Sequence, residues 1–343
     1  MITLDDLDAR IAGQARVPLA MLPTPLTEAP RLSAALEGPR ILLKRDDLTG
    51  LAFGGNKTRQ LEFLLADAAA SDADVLVGGA GTQSNWCRQI SAAARVLGLD
   101  CELVLATGVK GREVQGNLLL DHLLGANVQV VDVPSLEQLP EHVDARAAEL
   151  RAAGRRPYVV GLFDREVLAR SAIGYIAAAV ELQRQFDAQG VRPSHLYVSG
   201  ANMTPAGLAA GFRALGSVIE VVAVPPILLS SDRATDIAAI ATRALAMLGL
   251  DDIQMTADDI RCDEEFIGPG YGILTDAARE ALLLMARCEG VLLDPVYTAK
   301  AFAALVAHAR TGTLTGDDTV VFIHTGGTPA LFAYAEELVG ASA

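Results

Sequence analysis

A lysine follows two glycines and an asparagine in Gly54-Gly55-Asn56-Lys57-Thr58, where a helix is expected to open. Glycines let the backbone come close to a ligand. A lysine amine in a site that keeps it partly neutral is the group that forms Schiff bases with carbonyl compounds. This is no Walker A loop, which wants glycine directly before the lysine. The functional reading is a lysine held rigidly beside a phosphate-bearing ligand. The plainer one is a solvated lysine at a helix start.

Other loops offer complementary chemistry. Gly78-Gly79-Ala80-Gly81-Thr82-Gln83-Ser84-Asn85 lies between a predicted strand and helix. It misses the third glycine of a dinucleotide fingerprint, and Asp100 and Glu102 sit wrongly for a ribose contact. Ser84 and Asn85 are either helix caps or, with the helix N-terminus, a carboxylate site. Trp86, the single tryptophan, either walls the same pocket or packs in the core. Ser199-Gly200-Ala201-Asn202-Met203-Thr204 is a small-residue turn before a helix, either a phosphate cradle or an ordinary start ahead of Pro205. Gly268-Pro269-Gly270-Tyr271-Gly272 and Asp294-Pro295-Val296-Tyr297-Thr298 each set a tyrosine in a turn. His324-Thr325-Gly326-Gly327 ends the last predicted strand, and His324 reads as a satisfied core histidine.

The elements that must position these loops alternate strand and helix. Strands are expected near Arg40–Lys44, Asp74–Gly79, Glu102–Ala106, Val128–Val131, Tyr158–Gly161, His195–Ser199, Ile219–Val224 and Thr319–His324. Helical patterns fall at Thr58–Ala70, Ser84–Leu97, Asn117–Leu124, Ile173–Phe186, Pro205–Leu215, Thr235–Leu248, Thr275–Cys288 and Ala299–Ala309. Continuous apolar strands alternating with helices mean parallel sheets covered on both faces. Ligands of such sheets sit at the carboxyl ends of strands, so the chemistry is expected in the strand-to-helix loops. The polar stretch Phe163–Arg170 reads as a crossing between two domains.

The chain has 343 residues, which suits two domains or one large α/β unit. A net charge of −14 argues against nucleic-acid binding. No apolar run approaches the roughly 18 positions of a membrane helix, and the opening MITLDDLDARIAG lacks the basic-then-apolar order of a signal peptide. Four dispersed cysteines without a C-x-x-C fit a reducing compartment, and no metal site is expected. A cytoplasmic protein is the expectation. No G-x-S-x-G elbow is present, which removes the α/β-hydrolase reading.

In order and spacing, Leu22-Pro23-Thr24-Pro25-Leu26, Lys44-Arg45-Asp46-Asp47-Leu48-Thr49-Gly50, Gly54-Gly55-Asn56-Lys57, Gln83-Ser84-Asn85, Leu293-Asp294-Pro295-Val296-Tyr297-Thr298 and His324-Thr325-Gly326-Gly327 resemble the D-cysteine desulfhydrase/aminocyclopropane-carboxylate deaminase family. The resemblance spans nearly the whole chain and rests on the motifs jointly. It implies an α/β protein of the tryptophan synthase β-like, fold type II pyridoxal-phosphate (PLP) class, with two parallel-sheet domains and the cofactor between them. The larger domain would be 1–57 with 166–343, the smaller 58–165. A homodimer acting on a small amino acid is implied.

Residue by residue, the resemblance makes Lys57 the Schiff-base lysine that also moves the Cα proton. Asn85 would meet the cofactor's phenolic oxygen, and Ser84 with Gln83 the substrate carboxylate. Tyr271 and Tyr297 would line the substrate side with Trp86, and Thr325 would sit near the pyridine nitrogen. Ser199, Gly200, Ala201, Asn202, Met203 and Thr204 would hold the phosphate. The implied reaction is α,β-elimination on a β-substituted amino acid such as D-cysteine or L-cysteate, giving a 2-oxo acid, ammonia and the leaving group. Alternatives are an aminocyclopropane-carboxylate deaminase, a racemase or dehydratase of the same fold, and a non-catalytic homologue. A Rossmann oxidoreductase fits poorly.

The sequence departs from the family pattern at informative places. Gln60 stands where a phosphate-assisting lysine is usual, Asn202-Met203 interrupts a turn usually richer in Gly and Ser, and Trp86 replaces a histidine or small polar residue. Thr298 stands where ring-opening relatives carry an acid. Leu162–Arg170 replaces a Gly- and Ser-rich segment and brings Arg165 and Arg170 to the expected substrate mouth. Arginine's planar fork suits carboxylates and sulfonates, so Arg165 is read as a candidate ligand for a second anionic group. The plainer reading makes both arginines part of a solvated helical face with Asp164 and Glu166.

Overall fold

The computed structural model describes residues 2–340. The strands are β1 (Leu26–Glu28), β2 (Arg40–Lys44), β3 (Val75–Gly81), β4 (Asp100–Ala106), β5 (Asn127–Val131), β6 (Pro157–Val160), β7 (His195–Ser199), β8 (Glu220–Val224), β9 (Arg261–Cys262) and β10 (Thr319–Ile323). The α-helices are α1 (Leu4–Ala12), α2 (Pro30–Ala35), α3 (Asn56–Ala70), α4 (Asn85–Leu97), α5 (Gly116–Leu123), α6 (Leu139–Ala152), α7 (Arg165–Gln189), α8 (Met203–Leu215), α9 (Arg233–Met247), α10 (Asp276–Glu289), α11 (Thr298–Arg310) and α12 (Ala335–Val339).

Two sheets form. One has six strands in the order β1-β2-β10-β7-β8-β9, the other four in the order β5-β4-β3-β6. All pairs are parallel except β1 on β2. The central strands are buried on both faces, as Val75, Leu76, Val77, Val320, Val321 and Phe322 show, which is why they read as unbroken apolar runs. Helix α3 packs on both α4 and α7 and so links the layers around the two sheets. Among the described residues, no helix is long and apolar enough to cross a membrane.

All eight expected strands and eight expected helices are present. The structure adds two short strands, β1 and β9, and four helices that were not read, α1, α2, α6 and α12. Helix α6 buries Leu139, Val143, Ala147 and Leu150 on one stripe, a period its many charges mask. Helix α7 begins at Arg165 rather than Ile173, because Asp164 Oδ1 accepts from Glu166 N (2.8 Å) and Val167 N (3.0 Å) as an N-cap. The polar stretch 163–170 is thus a cap and the first turns of a 25-residue helix.

Candidate active site

The lysine loop is held from several sides. Gly54 and Gly55 have φ of +64° and +119°, a backbone that side chains resist. A Cβ at Gly54 would lie 2.1 Å from the Asp47 carbonyl oxygen. Gly55 N donates to Asp46 O (3.0 Å) and Thr49 Oγ1 (2.8 Å), and Asn56 N donates to Thr325 O (2.9 Å). Two residues beyond Lys57, Arg59 is clamped by Asp46 (2.9 and 3.0 Å) and by Glu181 (3.0 Å). Tyr175 donates to Asp46 (2.6 Å), and Lys44 pairs with Glu181. This buried cluster fixes the first turn of α3.

Lys57 itself lies over the Trp86 ring, its amine 5.7 Å from the centroid. Loss of hydration lowers its pKa to about 8, because burial without a carboxylate partner disfavours the ammonium.

The start of α4 faces it. Ser84 caps the helix, its Oγ accepting from Trp86 N (3.2 Å) and Cys87 N (3.3 Å). Asn85 Oδ1 accepts from Asn117 Nδ2 (2.9 Å) and Arg88 Nη1 (3.3 Å). With its oxygen committed to two donors, the Asn85 amide presents its NH₂ to the cavity. Gln83 behaves otherwise. Its Oε1 accepts from Asn117 N (2.9 Å) and its Nε2 donates to Gln115 O (3.0 Å), so it fastens the start of α5 and does not line the cavity.

The turn from β7 into α8 forms the third wall. Among the described residues, the amides of Ala201, Asn202 and Thr204 have no hydrogen-bond acceptor, and they point the positive end of α8 at the cavity. Thr204 Oγ1 accepts from Asn56 Nδ2 (2.9 Å) and Gln60 Nε2 (2.8 Å), leaving its O–H to donate. The buried Ser199 hydroxyl has no partner among the described residues. These neutral donors fit a phosphate, and Gln60 takes part through Thr204.

The last wall carries the tyrosines. Tyr271 and Tyr297 hydroxyls hydrogen-bond to each other, with ring centroids 6.0 Å apart at 69°. Burial pushes Tyr271 up to about 12 and Tyr297 well above its ordinary value, so both are neutral near pH 7. Asp294 caps α11, accepting from Val296 N, Tyr297 N and Thr298 N (2.8–2.9 Å), and the Thr298 hydroxyl donates to it (2.6 Å). Lys300 Nζ donates to Ile267 O (2.6 Å) and Gly270 O (3.0 Å), bracing the Tyr271 loop. His324 Nε2 donates to Leu292 O (2.9 Å) and Nδ1 accepts from Gly326 N (3.2 Å), so it is a satisfied neutral histidine.

One cavity is therefore lined by Lys57, Ser84, Asn85, Trp86, Ser199, Gly200, Ala201, Asn202, Met203, Thr204, Tyr271, Tyr297 and Thr325. Arg165 is exposed and lines an adjoining pocket that shares Leu162, Phe163, Asn202 and Leu229 with the cavity. The sequence reading missed Arg88, Asn117, Asn56 and Lys300. Arg88 stands three residues after Asn85, and Lys300 three after Tyr297, a spacing that shares a helix face. The contacts of Asn56 and Asn117 leave no sequence signal.

A lysine kept part-neutral by burial, with a cradle of amides and hydroxyls in the same cavity, has the chemistry to fit a phosphorylated carbonyl cofactor on a parallel α/β scaffold. The comparisons agree. The family described as "Pyridoxal-phosphate dependent enzyme" matches residues 17–326; the chain belongs to that family, and PLP is its cofactor. The D-cysteine desulfhydrase of Salmonella schwarzengrund is 38% identical over 323 residues, covering 93% of this chain and 96% of the relative. A crystal structure described as the ACC deaminase homologue superposes with a TM-score of 0.87 at 32% identity, over 97% of this chain and 98% of that one. Escherichia coli diaminopropionate ammonia lyase in its apo form, at 16% identity and a TM-score of 0.71 over 99% and 92% of the two chains, shares the fold. These likenesses bear out the α/β fold type II expectation.

Proposed function

We propose that this enzyme is a PLP-dependent lyase that removes the β-substituent of D-cysteine, releasing sulfide and, after hydrolysis, pyruvate and ammonia. The observation that carries the reading is the Lys57 amine, lowered to about 8 by burial, in one cavity with the capped start of α4 and the tyrosine pair. Bound PLP supplies an electron sink for the pair left when the Cα–H bond breaks. Lys57 anchors the cofactor and carries the Cα proton. The Ser84 hydroxyl and the start of α4 take the substrate carboxylate. The Asn85 NH₂ meets the ring oxygen, Thr325 the ring nitrogen, and 199–204 the phosphate. Tyr271 and Tyr297, neutral and hydrogen-bonded, orient the substrate and donate to the departing sulfur. Thr298 is locked to Asp294 and sets no acid on the substrate side, which favours elimination over cyclopropane opening.

The test is a visible absorption spectrum with added PLP, repeated with D-cysteine. A visible band that disappears in Lys57→Ala, together with sulfide and pyruvate from D-cysteine, supports the reading. Absence of any band sinks it.

A second reading concerns the substrate. Arg170 lies against Asp67, Glu166 pairs with Arg243 and Asp164 caps α7, whereas Arg165 makes no ion pair or hydrogen bond among the described residues. An unspent guanidinium beside the cavity mouth supports a substrate with a second anionic group, such as L-cysteate. An unchanged preference between D-cysteine and L-cysteate in Arg165→Ala would end that reading.

The domain division at 57/58 and 165/166 belongs to the same proposal, supported by the four strands of the smaller sheet all falling within 58–165. So does a homodimer: Met21, Leu48 and Phe53 are exposed apolar side chains on segments joined by the Met21 N to Thr49 O hydrogen bond (2.9 Å). Light scattering on the PLP-loaded protein decides the oligomer. A cytoplasmic location is proposed on the four free cysteines.

A further inference from the structure

Two arginines are fully buried near the lysine loop, and their surroundings are opposite. Arg59 is clamped by the carboxylates of Asp46 and Glu181. Arg88 has no carboxylate oxygen within 4.0 Å of its nitrogens among the described residues. It donates instead to three neutral oxygens: Asn85 Oδ1 (3.3 Å), Asn117 Oδ1 (3.0 Å) and Gly54 O (2.8 Å). Its Nε is buried with no partner among the described residues. Asp121 and Asp294 act on it only at longer range. Asp121 is itself pushed up to about 7 by burial, and Asp294 is engaged as a helix cap.

A buried, unpaired cation is costly, and folds normally pair it or do without it. Arg88 lies directly behind Asn85 and the glycines that lead to Lys57. A guanidinium is donor-only, so the oxygen of Asn85 must turn toward it and the NH₂ away, into the cavity.

We infer that Arg88 is a positioning residue of the site. It aims the Asn85 amide at the cofactor's ring oxygen, and its charge is balanced by the anionic groups of cofactor and substrate. This rests on the PLP reading and adds to it a residue that touches neither molecule. A purely structural arginine would stabilise the apoprotein without responding to ligand charge. Arg88 is instead a cation that the ligands complete.

The experiment compares the parent, Arg88→Met and Arg88→Lys. It measures apoprotein melting, the PLP dissociation constant by absorption titration, the ratio of the visible to the near-ultraviolet band, and KM and kcat for D-cysteine. Arg88→Met is expected to weaken PLP at least tenfold, to halve the band ratio or lower it further, and to raise KM for D-cysteine more than it lowers kcat. Arg88→Lys keeps the charge but cannot fork to all three oxygens. It is expected to hold PLP affinity within about threefold of the parent while the band ratio still falls.

A folded Arg88→Met protein with PLP affinity and band ratio within twofold of the parent would overturn the inference. So would equal losses of PLP affinity in the Met and Lys variants, which would make shape rather than charge the cause. If Arg88→Met does not fold, the band ratio of Arg88→Lys decides, an unchanged ratio counting against. A parent protein that shows no PLP band fails the cofactor reading itself, not the role of Arg88.

Discussion

Gln60 Nε2 donates to Thr204 Oγ1 at 2.8 Å, joining the helix that carries Lys57 to the turn proposed to hold phosphate. Asn56 Nδ2 donates to the same hydroxyl at 2.9 Å. The departure from lysine at position 60 thus replaces a cation by an amide that aims a hydroxyl. Gln60→Lys should tighten PLP binding about tenfold, since a charge-assisted hydrogen bond contributes about 1.5–3 kcal/mol. Thr204→Val should weaken it by a similar factor, leaving two buried amides without an acceptor. Absorption titrations with PLP check both.

The Lys57 amine, lowered to about 8, predicts how the apoprotein captures its cofactor. Capture needs the neutral amine, so its rate should rise with pH through a midpoint near 8 and level off above it. The unfolded lysine titrates at 10.5. Between about 8 and 10.5 the unfolded chain therefore binds more protons, and apoprotein stability should rise with pH across that window. Lys57→Met should remove this part of the rise. Stopped-flow absorption and thermal melting at several pH values test these outcomes.

The tyrosine pair predicts a missing limb in the pH profile. Tyr271 is pushed up to about 12 and Tyr297 well above its ordinary value, so neither ionises in the working range. The pH dependence of kcat should show no tyrosine limb below about pH 10. Tyr297→Phe should lower kcat by about 10²-fold, in the range for loss of a positioned proton donor. Steady-state kinetics on D-cysteine from pH 6 to about pH 10 check this.

The buried cluster of Asp46, Arg59, Glu181 and Lys44 predicts a stability effect distinct from catalysis. Asp46→Asn should destabilise by about 3–5 kcal/mol, the usual result of removing one partner from a buried pair. Arg59 beside Asp46 and Glu181 holds both carboxyls below their ordinary values of 3.8 and 4.5. Depressed carboxylates contribute stability that is complete above those values and is lost as pH falls through the lower folded ones. The parent should lose this contribution below about pH 4, and Asp46→Asn should lose less there. Urea denaturation at pH 7 and pH 3.5 separates the two.

The cost of Asp46→Asn should fall on the lysine loop as well. Asp46 O receives the Gly55 amide (3.0 Å), and its carboxylate anchors Arg59 in the first turn of α3. The variant should therefore bind PLP more weakly at temperatures where it remains folded, as absorption titration would show.

Local chemistry determined much of this protein in its sequence. Unbroken apolar runs such as Val75-Leu76-Val77 announce doubly covered parallel strands, because such strands have no polar face to alternate. The glycines before Lys57, the strand-to-helix loops holding Asn85 and Thr204, the tyrosine turns of Tyr271 and Tyr297 and the end of the last strand at Thr325 were legible as loops, and the fold brings them to one cavity. Tertiary structure decided which side chains face the cavity and which brace it. Gln83 and Asn85 are two residues apart, yet one fastens α5 and the other faces the cavity, because Asn117 arrives from another segment. Arg165 reads as a mouth residue in sequence; only the fold, by starting α7 at the Asp164 cap, sets its exposed side chain in a pocket adjoining the cavity. Arg59 and Arg88 look alike in sequence; only the fold gives carboxylates to one and neutral oxygens to the other. Charge compensation and hydrogen-bond direction depend on partners far along the chain, and periodicity and spacing carry no record of them.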